Sequence, residues 1–325
     1  MKFLLFLPIL FNVAFAQEST SISPETKLEI AKLSQEGHAY LRSGNLKSAE
    51  IIANQIYEKS EISPESYYFR GGSYYGQREY KKAIQQLEKA ISLNPDHDPS
   101  LFLLGMIYYK LNIFEKSISY LSKAAEVGSF HPFYHYNLAI VYYASGNFEK
   151  SKLESEKTLR LKENYFKARV VLIKSLMKLG KNSEAFTHAK EMVDKKQEYE
   201  LAFPIYTKLL IEEYANYKEG INILTKKGNL NIEEKRLLAF SYMQEGELQK
   251  AINYYKQLRS LERDSEEDSL HLIKCLVLLG KDDEAEKTTA LLIKAHSSEK
   301  KKYKDYLQET IEKRNIGRWM YQPIP

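Results

Sequence analysis

This 325-residue sequence predicts an all-α solenoid of about eight antiparallel helix pairs, closed by a C-terminal capping helix. Three observations predict it. A unit of about 34 residues recurs from residue 30 to the end of the 290s, marked by midpoint phrases such as SGNLKSA at 43–49, SGNFEKS at 145–151 and LGKDDEA at 279–285. Small residues recur at the eighth and twentieth positions of the unit. Glycine recurs at the fifteenth. A fixed period of this length implies stacked supersecondary units, each too small to bury its apolar face alone.

The elements follow in order. Met1-Lys2 and the short apolar run Phe3–Phe15, with Ala14-Phe15-Ala16 before Gln17, have the form of a cleavable signal peptide over residues 1–16. Pro8 and Asn12 interrupt a run already too short to span a bilayer comfortably. No cysteine lies near the cleavage point and no Asn-x-Ser/Thr sequon occurs, so a periplasmic or secreted bacterial protein is expected. Residues 17–27 read as a polar linker and 28–296 as the repeat array. Its units start at Ile30, Pro64, Asp98, Pro132, Phe166, Leu201, Ile232 and Glu266, in steps of 34, 34, 34, 34, 35, 31 and 34.

Within a unit, positions 4, 7, 8 and 11 share one face of a first helix, and positions 20, 24 and 27 one face of a second. Position 8 is small in Gly37, Gly71, Gly105, Ala139 and Ala239. Position 20 is small in Ala49, Ala83, Ser117, Ser151, Ala185, Ala251 and Ala285, so the paired helices can approach closely. Tyr40, Tyr74, Tyr108, Tyr142 and Tyr242 at position 11 fill the gap towards the next pair. Gly44, Gly146, Gly180, Gly246 and Gly280 end the first helix at position 15. Ser63-Pro64 and Asp98-Pro99 read as N-caps followed by proline. The sixth unit is irregular: Pro204 falls inside its first helix, Gly220 takes the small-residue place, and three residues are missing near Gly228-Asn229. A distorted repeat or a bend is expected there.

These residues resemble the tetratricopeptide repeat family over roughly residues 28–296, best in the second unit through Gly71, Tyr74, Ala83, Leu87, Ala90 and Pro95, with Arg78 in place of the usual glycine. The resemblance implies a right-handed superhelix whose concave surface is lined by first-helix positions 2, 5, 6, 9, 12 and 13. Carried over, they give Tyr68 and Tyr75 in the second unit, Phe102, Met106 and Tyr109 in the third, and Tyr136, Asn137, Ile140 and Tyr143 in the fourth. The fifth offers Lys167 and Lys174. The strip suits a partner protein or peptide segment with bulky apolar side chains and an acidic end. Family members that clamp a terminal carboxylate use lysine, asparagine and arginine at set positions; only Asn137 and Lys167 match that set.

Charge and chemistry exclude other classes. The net charge of +5 concentrates in residues 294–325, with eight Lys/Arg against four Asp/Glu, and 17–293 is balanced at 39 of each. A neutral body lacks the basic stripe that nucleic-acid binding needs. Residues 297–325 read as a capping helix near Ser298–Lys313, exposing Lys300-Lys301-Lys302, followed by the aromatic tail Gly317-Arg318-Trp319-Met320-Tyr321. Peripheral contact of this tail with anionic membrane is the alternative role, with self-association of the repeats beside it. His131 and His135 have helical metal-ligand spacing but no clear third ligand, and His271 reads as half of a surface pair with its helical neighbours Lys274 and Glu267. Cys275 reads as a buried, inert thiol. No catalytic constellation and no cofactor motif is found, so the expectation is a non-catalytic scaffold or adaptor of the cell envelope.

Overall fold

A proline or a side-chain cap sets the first turn of several helices, and a left-handed residue ends most first helices. The computed structural model describes residues 22–196, 199–261 and 265–315, which form helices and connecting turns without strands. The expected signal peptide and the aromatic tail at 317–321 lie outside the described residues. The chain divides into two compact units, residues 1–141 and 142–325.

The first unit holds α1 (Pro24–Ser43), α2 (Leu46–Lys59), α3 (Pro64–Gly76), α4 (Tyr80–Leu93), α5 (Asp98–Lys110), α6 (Phe114–Val127) and most of α7 (Pro132–Ala144). Two of the expected helix boundaries shift here and a third, at Ser63-Pro64, holds. The first repeat's opening helix begins at Pro24, inside the expected linker, because Ser23 accepts from the Thr26 N–H and caps it. Ser63 caps α3, but its hydroxyl makes no capping bond and donates instead to Glu65. Asp98 is the first residue of α5 and His97 its cap.

Small residues bring the paired helices together as expected. A Cβ on Gly105 would meet Leu121 at 2.5 Å, and Ser117 donates to the Gly105 carbonyl at 2.8 Å. Two cores result, one around Ile30, Ile52, Ile56 and Phe69, the other around Leu87, Leu104, Ile107 and Tyr108. The position-11 tyrosines also hold a cation that the sequence reading did not anticipate. The position-19 lysine sits over the ring in Lys82–Tyr74 (5.4 Å) and Lys116–Tyr108 (5.1 Å).

The second unit continues with α8 (Phe148–Leu161), α9 (Phe166–Lys178), α10 (Asn182–Asp194), α11 (Tyr199–Glu212) and α12 (Tyr217–Lys227). It closes with α13 (Ile232–Gln244), α14 (Leu248–Ser260), α15 (Glu266–Leu278), α16 (Asp282–Ala295), a 3₁₀ turn and α17 (Lys300–Asn315). The lysine-over-tyrosine contact recurs in Lys150–Tyr142 (5.5 Å) and Lys250–Tyr242 (5.1 Å).

In the sixth repeat α11 starts two residues before Leu201 and runs through Pro204. The Thr207 hydroxyl donates to the carbonyls of Phe203 and Pro204 there. The missing residues shorten α12 to 11 residues, and the chain leaves it at Gly228 with φ +76°. An Asn231–Glu234 capping box then restarts the pattern at α13.

Candidate partner-binding site

The first unit carries eight of the eleven residues expected to line a groove, and it uses several of them for packing. Tyr68 lies among the rings of His38, Phe69 and His97, with centroids 5.0–5.6 Å away, and burial pushes its phenol up to about 12. Tyr75 and Tyr109 each lean on the first residue of their own second helix, Tyr80 at 6.1 Å and Phe114 at 6.3 Å. Asn137 is buried and donates an amide N–H to the Phe133 carbonyl one turn back, at 2.7 Å. Tyr136 is partly buried, which raises its phenol pKa.

Phe102, Met106 and Ile140 are half-buried. Phe102 joins α5 to α7 through Phe133 at 5.0 Å and Tyr134 at 5.2 Å, and Phe133 keeps 48% of its surface exposed. The surface left over is therefore aliphatic and aromatic, centred on Phe102, Met106 and Phe133.

The other three expected residues belong to the second unit. Tyr143 repeats the packing role, with its ring 5.4 Å from Phe148, and Lys167 and Lys174 are exposed on α9.

The second unit also holds a cleft of about 490 Å³ that the sequence reading missed. Its apolar floor is Met177 of α9, Pro204 and Ile205 of α11, and Leu237 and Phe240 of α13. Its rim is charged: Lys208 and Glu212 from α11, Glu233, Glu234 and Arg236 from α13, Glu267 and Asp268 from α15. His271 borders it from the α15 side. The signal for it was present. Met177, Ile205, Glu212, Glu233, Arg236, Leu237, Phe240, Glu267 and His271 all occupy the inner-face positions already applied to repeats two to five, extended into repeats six to eight.

Two of the rim carboxylates are structurally committed. Asp268, 2% exposed, accepts both Arg236 Nε bonds (2.8 and 3.0 Å) and closes the Ser265 capping box. Glu234 caps α13 and pairs with Lys227 at 2.6 Å. Glu233 meets Arg236 at 2.6 Å. Glu212 has Lys208 at 3.7 Å, and its carboxyl is raised above its ordinary value, chiefly by burial, with Glu213 and Glu267 adding like-charge repulsion. Glu267 makes no side-chain hydrogen bond or ion pair among the described residues.

His271 corrects an expectation. It is 4% exposed rather than a surface residue, because α15 turns it between Phe240 (5.4 Å) and Tyr255 (5.8 Å). Burial holds its imidazole neutral, with its pKa down to about 4. Cys275 is fully buried and its thiol is pushed up to about 12. His131 is exposed, while His135 is buried with Nε2 3.2 Å from the Ser129 carbonyl. Among the described residues no group of three or more His, Cys, Asp and Glu is placed to hold a metal ion. At the C-terminal end α17 packs as a cap: Tyr303 is fully buried, Arg314 grips Asp282 at 2.6 and 2.9 Å, and Lys300, Lys301 and Lys302 are exposed.

A family model described as anaphase-promoting complex, cyclosome, subunit 3 matches residues 42–124, and the tetratricopeptide repeat model matches 242–305. No curated protein matches the sequence significantly. Among solved structures the chain is similar to pilF of Pseudomonas aeruginosa, at 18% identity and a TM-score of 0.49, over 76% of this chain and 96% of that one. It is also similar to a tetratricopeptide repeat protein from Parabacteroides merdae (16%, TM-score 0.48, 75% and 98%) and to MamA of AMB-1 (19%, 0.44, 50% and 98%). The 34-residue period, the small residues between paired helices and the two family models agree on an array of tetratricopeptide-type repeats, with the models matching residues 42–124 and 242–305.

Proposed function

We propose that this protein is a non-catalytic scaffold of the cell envelope that holds a segment of a partner protein on the inner faces of its first helices. Tetratricopeptide repeat proteins are in general protein-interaction scaffolds. The observation that carries the reading here is the cleft on α9, α11, α13 and α15, whose volume of about 490 Å³ lies within the usual range for ligand sites. Apolar floor and charged rim occupy the inner-face positions of successive repeats, which is the arrangement that reads an extended segment residue by residue. The Phe102–Met106–Phe133 surface of the first unit is a second, apolar anchor. Export rests on the leader-like residues 1–16.

The test is affinity capture from envelope extract with residues 17–325, beside Met106→Glu and Phe240→Ser variants checked for unchanged helicity. Loss of a partner from one variant assigns the anchor that holds it, and equal capture by all three proteins overturns both surfaces. The mass of the mature chain checks export, with Gln17 expected at its N-terminus.

A further inference from the structure

We propose that the second-unit cleft selects a cationic side chain, lysine or arginine, seated between Glu212 and Glu267, with the neighbouring apolar side chain of the same segment on Ile205, Leu237 and Phe240. The inference rests on the partner-segment reading above and adds the chemistry of the segment. It reverses the polarity expected from repeats two to five, where lysines suggested an acidic ligand.

Charge balance is the first argument. Five carboxylates and two cations line the cleft, and the cations are already engaged. Arg236 is held by Asp268 and Glu233, and Lys208 stands 3.7 Å from Glu212. Glu267 has no such partner among the described residues, and it repels Glu212 across the cleft. A cation placed between them relieves that repulsion in a setting partly shielded from water, where a charge-assisted bond is stronger than at an open surface.

The second argument is His271. It is 4% exposed, borders the cleft, and hydrogen-bonds to none of the described residues. A buried polar group of this kind normally has a partner. Its neutral ring carries one donor and one acceptor nitrogen, so it can receive an N–H of the same lysine, arginine or segment backbone. An anionic ligand would meet the unpaired carboxylate of Glu267 and is disfavoured; a wholly apolar one would cover that exposed carboxylate without a counter-charge and leave the imidazole without a partner.

The experiment is a fluorescence titration of the full mature chain with labelled twelve-residue peptides. The central residue is lysine, arginine, norleucine or glutamate, flanked by leucine and phenylalanine or by glycines. The expected result is a preference of about tenfold for lysine or arginine over norleucine, and more over glutamate, seen only with apolar flanks. In Glu212→Gln/Glu267→Gln that preference falls to about that of norleucine while apolar-flanked peptides still bind. Binding that is lost in Phe240→Ser but shows no preference for a central cation overturns this inference and leaves the scaffold reading standing. Absence of binding by any peptide at this cleft, with the helicity of the parent intact, overturns the inference and the cleft's part in the scaffold reading together.

Discussion

Replacing Arg78 by glycine should stabilise this protein. Position 15 is left-handed in all eight repeats: Gly44, Gly146, Gly180, Gly246 and Gly280 have φ between +71° and +81°, and Arg78 (+64°), Asn112 (+57°) and Ala215 (+49°) share the conformation. A residue with a Cβ pays about 1–2 kcal/mol there, because the Cβ crowds the following carbonyl. Glycine returns part of that gain through the greater freedom of its unfolded chain, about 0.4–1 kcal/mol. Arg78 is exposed and its side chain makes no hydrogen bond or ion pair among the described residues, so its removal costs no contact. The net expectation for Arg78→Gly is a gain of roughly 0.5–1 kcal/mol.

Gly180→Ala is the mirror experiment. A Cβ on Gly180 meets nothing within 4 Å, so only the backbone term acts, and a loss of about the same size follows. Asn112→Gly should gain only a few tenths of a kcal/mol, since asparagine tolerates this region best. The assay is urea unfolding followed by helical circular dichroism, with slopes compared because a repeat array can melt in parts. An unchanged or lowered midpoint for Arg78→Gly beside a lowered one for Gly180→Ala would refute the idea that position 15 is governed by backbone strain alone.

The remaining predictions concern packing, reactivity and pH. Gly105→Val should lower the urea midpoint by an amount equivalent to about 1–3 kcal/mol, because its Cβ would meet Leu121 Cγ at 2.5 Å and that residue's backbone nitrogen at 3.2 Å. Cys275 should resist a thiol reagent at neutral pH in the folded protein and react in denaturant; rapid labelling of the folded chain would contradict its burial. His271 has a folded pKa of about 4, below the ordinary 6.5, so the unfolded chain binds more protons between those values. Its contribution is complete above pH 6.5 and is lost as pH falls towards 4, by up to about 3 kcal/mol. Burial also lowers His38 and His188, so the readout is the shallower acid slope of His271→Phe against the parent.

The fold was legible because its determinants are local and repeated. Six of the eight expected starts, from Pro64 to Glu266, coincide with the first residue of a helix. The three-residue deletion near Gly228 reappears as a shortened α12, since the pattern resets only when a new cap, Asn231, is available. Pro204 was the harder residue to read. Its missing N–H argued for a break, yet α11 runs through it while Ala202, Phe203 and Tyr206 are buried around it. The site was half legible. The inner-face positions identify the cleft residues, but their sequence cannot show that Tyr75, Tyr109 and Tyr143 turn onto their own second helices. Nor does a histidine flanked by Glu267 and Lys274 announce that α15 buries it.

The same repeat positions serve two chemistries in the two units, and salt separates them. In the first unit neighbouring first helices meet through rings and a phenol, Phe102 on Phe133 and Tyr134 donating to Asp98 at 2.7 Å. In the second they meet through ion pairs such as Arg236–Asp268 and Lys302–Glu266. Asp268 is 2% exposed, so its pair is screened little, whereas both partners of Lys302–Glu266 reach solvent. The spacing within each helix pair depends on neither set, because the small residue at position 20 sets it. Raising the salt from about 0.1 to 1 M shortens the Debye length from about 10 to 3 Å. It should therefore weaken peptide binding at Glu212 and Glu267, which face the open cleft, while moving the thermal midpoint only slightly. A midpoint that collapses in salt together with binding would mean that the charged rim holds the helices together, and that the cleft is a consequence of its ion pairs rather than a surface built on an independent frame.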